Sequence, residues 1–413
     1  MTDHSKQVLH GWRDPSKDYP LVVSRSGYKF TCENGTEYID LDSQGLVDIL
    51  GVAVPEIEEA ISQYASLLPF LSAMYGDSKP EIEYANSLLS VLGAPYSMIY
   101  YATTGTMAIE AAIKIAKSIT NRKTVLGFDG AFHGVSHLTL SVSGMTDLKT
   151  EFNIPHIQDE ILPFPNCTSC KKEETEVAAC EGLEVIKNRL LEIGESSIAA
   201  IIAEPFLSAM CREPCKYFWP ELKKLLTSKG ILLIGDEVST GFGRCGSIMA
   251  FQQWSVSPDI VVLGKSLAAG YVPLAVVATT EDVSKHLHGR IFKHGSTFDG
   301  HPLSCAAAKA FLDFCTTNDW LEKASSASEL FYDQIVALFS NPSAHHSSVR
   351  IKGLLAVIEL TLPKAEEIKA NCRNRGIIIG GFFNYLRIAP GILMDKKDLS
   401  DGVQIVYEEV TKL

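Results

Sequence analysis

The chain has 413 residues, 46% of them hydrophobic and 21% charged, which is enough apolar mass for a sizeable core and excludes a disordered or collagen-like chain. Lysine plus arginine (37) falls short of aspartate plus glutamate (49), giving a formal charge of −12. With no concentrated basic stretch, nucleic acid and anionic membranes are poor partners.

The amino terminus, Met1 to Asp18, is polar and lacks an apolar segment, so no secretory signal is expected. No apolar run reaches membrane-spanning length. Ten cysteines are too sparse for a disulfide scaffold in a chain of this size, and a reducing, cytoplasmic compartment is expected. Cys167 and Cys170 form one C-x-x-C, with Cys180 and Cys211 further on. No second pair follows at zinc-finger spacing, so loop cysteines are the plainer reading and no metal is expected.

A short apolar run ending in a polar or glycine-bearing turn recurs along the chain. Met98 to Tyr101 ends in Thr103-Thr104-Gly105-Thr106. Thr124 to Phe128 leads into Gly130-Ala131-Phe132-His133-Gly134, and Ile198 to Ala203 ends at Glu204-Pro205. Ile231 to Ile234 ends at Gly235-Asp236-Glu237, and Ile260 to Leu263 ends at Gly264-Lys265. Such runs alternating with helical patterns predict a parallel sheet buried on both faces, with ligands outside the carboxyl ends of its strands. The five turns should therefore converge on one site.

Three turns carry chemistry. Met107 to Thr120 has Ile109, Ala112, Ile113, Ala116 and Ile119 on one face, which predicts an amphipathic helix. Its first turn offers free N–H groups, a glycine and threonine hydroxyls, a setting that suits a phosphate as well as an ordinary helix start. Asp236 directly follows an apolar strand, where an ionised carboxylate needs a cation or donors. Lys265 occupies the matching position 29 residues on, and a desolvated lysine becomes nucleophilic. A structural Asp236–Lys265 ion pair is the plain alternative. Together the three elements match what pyridoxal phosphate requires.

The stretch Asp236-Glu237-Val238-Ser239-Thr240-Gly241-Phe242-Gly243-Arg244-Cys245-Gly246, with Pro258-Asp259-Ile260-Val261 and Gly264-Lys265, resembles the signature of the class III aminotransferases of the type I pyridoxal-phosphate fold. His294 to Phe298 with Gly300-His301-Pro302, Leu386 to Pro390, and Gly35 to Asp40 resemble further motifs of that family. The resemblance runs through most of the chain. It implies an α/β fold with a mostly parallel seven-stranded sheet in a large domain (55–303). The N-terminal segment (1–54) would join the C-terminal residues (304–413) in a smaller α+β domain.

By the same resemblance, Lys265 is the Schiff-base lysine and Asp236 the partner of the pyridine nitrogen. Val238 packs beneath the ring and Phe132 above it. Gly105 and Thr106 hold the phosphate, joined by Thr297 from the neighbouring subunit of a homodimer with shared active sites. Arg387 takes the substrate carboxylate, a two-point contact that lysine could not reproduce. Glu204 helps set the cofactor pocket or serves the framework. The implied reaction moves an amino group from an amino donor to a keto acid or aldehyde, with freed Lys265 as general base.

Gly241-Phe242-Gly243-Arg244-Cys245-Gly246 also satisfies G-x-G-x-x-G, but the acidic residue expected about 20 positions on is out of context, which disfavours a dinucleotide site. In the ω-aminotransferase branch of the family, E-P-x-x-x-E supplies a second glutamate that masks the arginine. Here Ala209 stands in its place, so an unmasked Arg387 and an α-carboxylate-bound substrate are expected. The E-P-x-L-S run resembles dialkylglycine decarboxylases, leaving decarboxylase, epimerase and aminomutase chemistry as alternatives. A cofactor-binding homologue without turnover is a remoter one.

Overall fold

The computed structural model describes residues 8–14, 17, 19–154, 161–165 and 180–413. Three short strands open the chain: β1 (Val22–Ser26), β2 (Lys29–Cys32) and β3 (Glu37–Asp40). Seven more follow: β4 (Tyr96–Ala102), β5 (Thr124–Phe128), β6 (Ile161–Leu162), β7 (Ile198–Ala203), β8 (Leu232–Asp236), β9 (Ile260–Leu263) and β10 (Ala275–Thr280). The last group is β11 (His346–Ile351), β12 (Ala356–Leu360), β13 (Ile377–Ile378), β14 (Gly380–Phe382) and β15 (Tyr385–Ile388).

β4 to β10 form one seven-stranded sheet in the order β4-β10-β9-β8-β7-β5-β6. β9, β8, β7, β5 and β6 pair in parallel, and β10 runs antiparallel to both of its neighbours, β4 and β9. Every residue of β7, β9 and β10 is buried. Continuous apolar strands are what a sheet covered on both faces demands.

One face is covered by the helix Gly105–Thr120, whose Ala108, Ile109, Ala112, Ile113 and Ala116 pack on Val125, Ile202, Ile234 and Val262. Its buried face is wider than the expected stripe, taking in Ala111 and Ile115 as well. Against the other face, Phe218, Trp219, Leu222 and Leu226 meet Leu126, Phe128, Ile201 and Leu233. Towards β9 and β10 the cover comes from the helices Lys79–Leu92 and Pro302–Thr317.

Two smaller sheets complete the chain. β11, β12, β15 and β14 form an antiparallel sheet, and β13 pairs in parallel with β3. This pairing ties the N-terminal strands to residues near the C terminus. It also brings Asp42, just after β3, to Arg387 on β15.

Candidate functional site

β4, β5, β7, β8 and β9 share one direction, so their carboxyl ends lie along one edge of the sheet, where ligands of such sheets bind. The turns after them are joined by contacts between their residues. His133 Nδ1 lies 2.7 Å from Asp236 Oδ2, and the Phe132 N–H donates to Glu204 Oε1 at 3.1 Å. Lys265 Nζ donates to Ser239 Oγ at 2.5 Å. The expected convergence is present.

The helix after β4 begins at Gly105. Thr104 caps it, its hydroxyl accepting from the Met107 N–H at 3.3 Å. A Cβ on Gly105 would lie 3.0 Å from Val238 Cγ1, and one on Gly264 would lie 3.3 Å from the same atom. Val238 therefore sits between two glycine backbones, with no side chain from either to lift it. Thr106 packs beside the turn at Gly134, whose Cβ would fall 2.6 Å from Thr106 Oγ1.

Asp236 is buried and its two oxygens are engaged separately, Oδ2 by His133 and Oδ1 by the Val238 N–H at 3.0 Å. An ionised carboxylate only accepts, so His133 Nδ1 carries the proton. His133 Nε2 is buried without a partner among the described residues. The plain alternative, a structural Asp236–Lys265 ion pair, is not the arrangement found, since the lysine amine bonds to Ser239.

Burial, reinforced by the charge of Arg387, lowers the Lys265 amine to about 8 against the opposing pull of Asp236, Glu204 and Asp42. Its backbone adopts φ +43°, a left-handed conformation that a non-glycine residue holds only when its surroundings enforce it. Glu204 is buried and fully used. Oε1 accepts from Phe132 N–H and Oε2 from the Ser208 N–H at 3.0 Å and hydroxyl at 2.5 Å. Burial and the charge of Asp236 push its carboxyl up. Of the two roles left open for Glu204, its bonds support the framework one.

These groups fit pyridoxal phosphate. A buried carboxylate suits a cationic ring nitrogen, a desolvated amine suits the aldehyde, and a glycine at a helix start suits the phosphate. Thr297 is exposed on the loop before Gly300. Phe132 turns its ring edge-on to Trp12, with centroids 6.5 Å apart.

Arg387 is where expectation and structure part. Its Nε and Nη2 donate to Asp42 Oδ1 and Oδ2 at 2.7 and 2.9 Å. The arginine is not unmasked. Ala209 removes one carboxylate, and the segment after β3 supplies another.

Sequence reasoning assigned no site role to Asp42, Ser239, His133 or Arg244. His133 stood in a turn already singled out, and a histidine near a buried aspartate was the available signal. Asp42 lies 345 residues from its partner and carried none. Arg244 is wholly buried, donating from Nη1 to the Leu354 and Pro390 carbonyls at 3.1 and 2.6 Å.

The first two glycines of the G-x-G-x-x-G run, Gly241 and Gly243, serve packing. A Cβ on Gly243 would lie 2.5 Å from the Trp320 ring, and one on Gly241 would lie 2.9 Å from Leu263. Cys167 and Cys170 lie outside the described residues. Cys180 and Cys215 bring their sulfurs to 3.6 Å, and Cys211 faces the Leu355 carbonyl instead. Among the described residues, no helix is long and apolar enough to cross a membrane.

The Aminotransferase class-III family profile matches residues 14–410. A probable gamma-aminobutyrate transaminase 2, mitochondrial, of Oryza sativa subsp. indica is 26% identical over 97% of this chain and 86% of its own length. The vanillin aminotransferase of Capsicum annuum is 25% identical over 96% and 92%. Among solved structures, the taurine:2-oxoglutarate aminotransferase of Bifidobacterium kashiwanohense, in complex with PLP and glutamate, superposes with a TM-score of 0.90 at 24% identity over 99% of this chain and 96% of that one. A Bacillus anthracis aminotransferase does so at 0.91, with 23% identity over 98% and 96%. The sheet-edge cluster and the full-length family match lead to one conclusion: the chain belongs to the class III aminotransferases, enzymes that depend on pyridoxal phosphate.

Proposed function

We propose that Lys265 is the residue that binds the cofactor covalently in this aminotransferase and later moves the proton at the reacting carbon. The observation that carries this reading is the desolvated Lys265 amine at the strand edge shared by Asp236 and the Gly105 helix start. With its amine near 8, Lys265 is half neutral in mildly alkaline solution, so it can both attack and accept a proton. Asp236, oriented by His133 and the Val238 N–H, would supply the negative charge that pairs with the ring nitrogen. Gly105 and Thr106 would hold the phosphate, Val238 would floor the ring and Phe132 would cover it. Pyridoxal phosphate, when bound, supplies the electron sink for the carbon bearing the amino group.

Arg387 is the proposed anchor for a substrate carboxylate, with 23% of its side chain still accessible. The substrates are an amino donor and a keto acid or aldehyde. Relatives named for gamma-aminobutyrate and for vanillin support a branch that accepts both carboxylate-bearing and carboxylate-free partners.

A homodimer completes the reading, with Thr297 serving the neighbouring subunit's site. Phe70 packs on Phe298 at 5.7 Å while both remain exposed, an apolar patch beside Thr297 that suits a second copy. The β3–β13 pairing supports treating 1–54 and 304–413 as one smaller unit beside 55–303. The buried thiols of Cys245, Cys305, Cys315 and Cys372 suit a reducing, cytoplasmic setting.

Borohydride reduction of the holoenzyme followed by peptide mapping tests the assignment. The cofactor's mass should become fixed on the peptide bearing Lys265, and Lys265→Ala should lose both that mark and transamination. Label on a different lysine would overturn it.

A further inference from the structure

The two bonds between Arg387 and Asp42 have the fork geometry that a substrate carboxylate would use. Asp42 is therefore a carboxylate already seated in the proposed anchor, and the chain holds it there by several means. Its N–H donates to Asp40 Oδ1 at 2.9 Å, and Gln44 donates to Asp40 Oδ2 from its backbone at 2.9 Å and its side chain at 3.0 Å. Ser43, Gln44, Gly45 and Leu46 then run at φ +47°, +53°, +75° and +72°. A left-handed turn containing three non-glycine residues is costly and persists only where contacts impose it.

Those contacts lead to the site. Ser43 Oγ donates to the Ala389 carbonyl at 2.6 Å, two residues beyond Arg387, and Ser266 Oγ donates to the Leu46 carbonyl at 3.3 Å, one residue beyond Lys265. Gly380 on β14 closes another side, because a Cβ there would lie 2.3 Å from Asp42 Oδ1 and 2.8 Å from Arg387 Nε.

The surrounding charges keep the pair separable. Arg244 is buried with Nε and Nη2 unpartnered among the described residues, and it feels the charges of Asp42, Arg387 and Asp40. Its fixed positive charge attracts Asp42 whether or not Arg387 is engaged. Asp40 repels Asp42 and Lys265 adds positive charge near Arg387.

We infer that Asp42 is a specificity-determining residue, a built-in carboxylate that competes with the substrate's carboxylate for Arg387. With the pair closed, the site takes carboxylate-free amines and aldehydes. With the pair opened, it takes amino acids and 2-oxo acids. The inference rests on Arg387 being the substrate anchor, and the test separates the two.

Calorimetry would measure glutarate and propanoate binding to the holoenzyme in the parent, Asp42→Asn, Arg387→Ala and the double variant. The nearly isosteric asparagine loses the charge, so both acids should bind about tenfold more tightly or better. The KM for amino acids should fall in parallel, with no such gain for amines lacking a carboxylate. In the Arg387→Ala background the Asp42 change should have no effect on acid binding. Should Asp42→Asn fail to fold, Asp42→Ala is read by the same criteria. Unchanged or weaker acid binding in the Asp42 variants, with binding still lost in Arg387→Ala, would overturn the competition while leaving the anchor standing. Unaltered acid binding in Arg387→Ala would overturn the anchor and the competition with it.

Discussion

The lowered Lys265 amine yields a pH profile that can be measured without turnover. An ordinary lysine titrates near 10.5, and burial with the charge of Arg387 brings this one to about 8. At pH 8 about half of Lys265 is then neutral, against roughly one part in 300 for an ordinary lysine. The neutral amine is the nucleophile, so reactivity should rise with pH through about 8 and level off near 9. The assay is modification of the cofactor-free enzyme by trinitrobenzenesulfonate over pH 6–11, with labelling of each lysine peptide resolved by mass. Lys265 should give a midpoint near 8 while exposed lysines such as Lys397 climb on towards 10.5 and beyond. Because Arg387 contributes to the depression, Arg387→Ala should move the Lys265 midpoint upward. A Lys265 midpoint close to 10.5, or one that Arg387→Ala leaves in place, would refute the electrostatic account.

Asp236→Asn removes the charge facing His133 and puts an amide opposite its Nδ1 proton. A buried hydrogen bond to a charged group is worth roughly 1.5–3 kcal/mol, so cofactor affinity and turnover should both fall at least tenfold. Unchanged cofactor affinity and turnover would defeat the role given to Asp236. Arg387→Ala should cost carboxylate-bearing substrates on the order of 2–5 kcal/mol, or roughly thirtyfold to several thousandfold in kcat/KM. Equal losses for simple amines would show that the arginine does not read the carboxylate. Glu237 is buried, accepting from Thr240 and from the Phe251 N–H at 2.8 Å, and burial pushes its carboxyl to about 7. The folded chain keeps a proton that the unfolded chain releases near 4.5, so stability should decline as pH rises from about 4.5 through 7. Glu237→Gln should flatten that decline, by on the order of 2–3 kcal/mol, in denaturant titrations at pH 5 and 8. An identical pH slope in the variant would contradict it.

What was legible in the sequence was local. β5, β7 and β9 coincide with apolar runs bounded by polar turns, and the helix after β4 begins within two residues of its expected start. Lys265 and Asp236 stood out because charge at the end of an apolar strand is expensive. β10 was missed, since Ala275 to Thr280 ends in two threonines and lacks a functional turn, although among the described residues it supplies the only antiparallel pairings in the large sheet. Arg387 was found as a residue and misjudged as a charge. The reading depended on position 209, whereas the occupant comes from position 42, brought there by strand pairings between the two ends of the chain. Periodicity and turn chemistry report on neighbours in sequence, and no local signal links residues 345 positions apart.

The same long-range closure explains why a wholly buried arginine is tolerable at Arg244. An isolated interior guanidinium is costly, and burial does lower this one to about 10. Its Nη1 is fixed by the Leu354 and Pro390 carbonyls, so the charge cannot swing over to draw Asp42 away from Arg387. Asp40 and Asp42 then form an acidic pair that interacts with two guanidinium groups, one fixed and one partly accessible. If Arg244 were free to take Asp42 fully, Arg387 would stand open to every carboxylate. If Arg244 were absent, Asp42 would depend on Arg387 alone and yield to a substrate only at high cost. A fixed charge beside a partly accessible one would leave Asp42 bound to Arg387 yet displaceable, the condition that the proposed competition requires for one site to serve two kinds of partner.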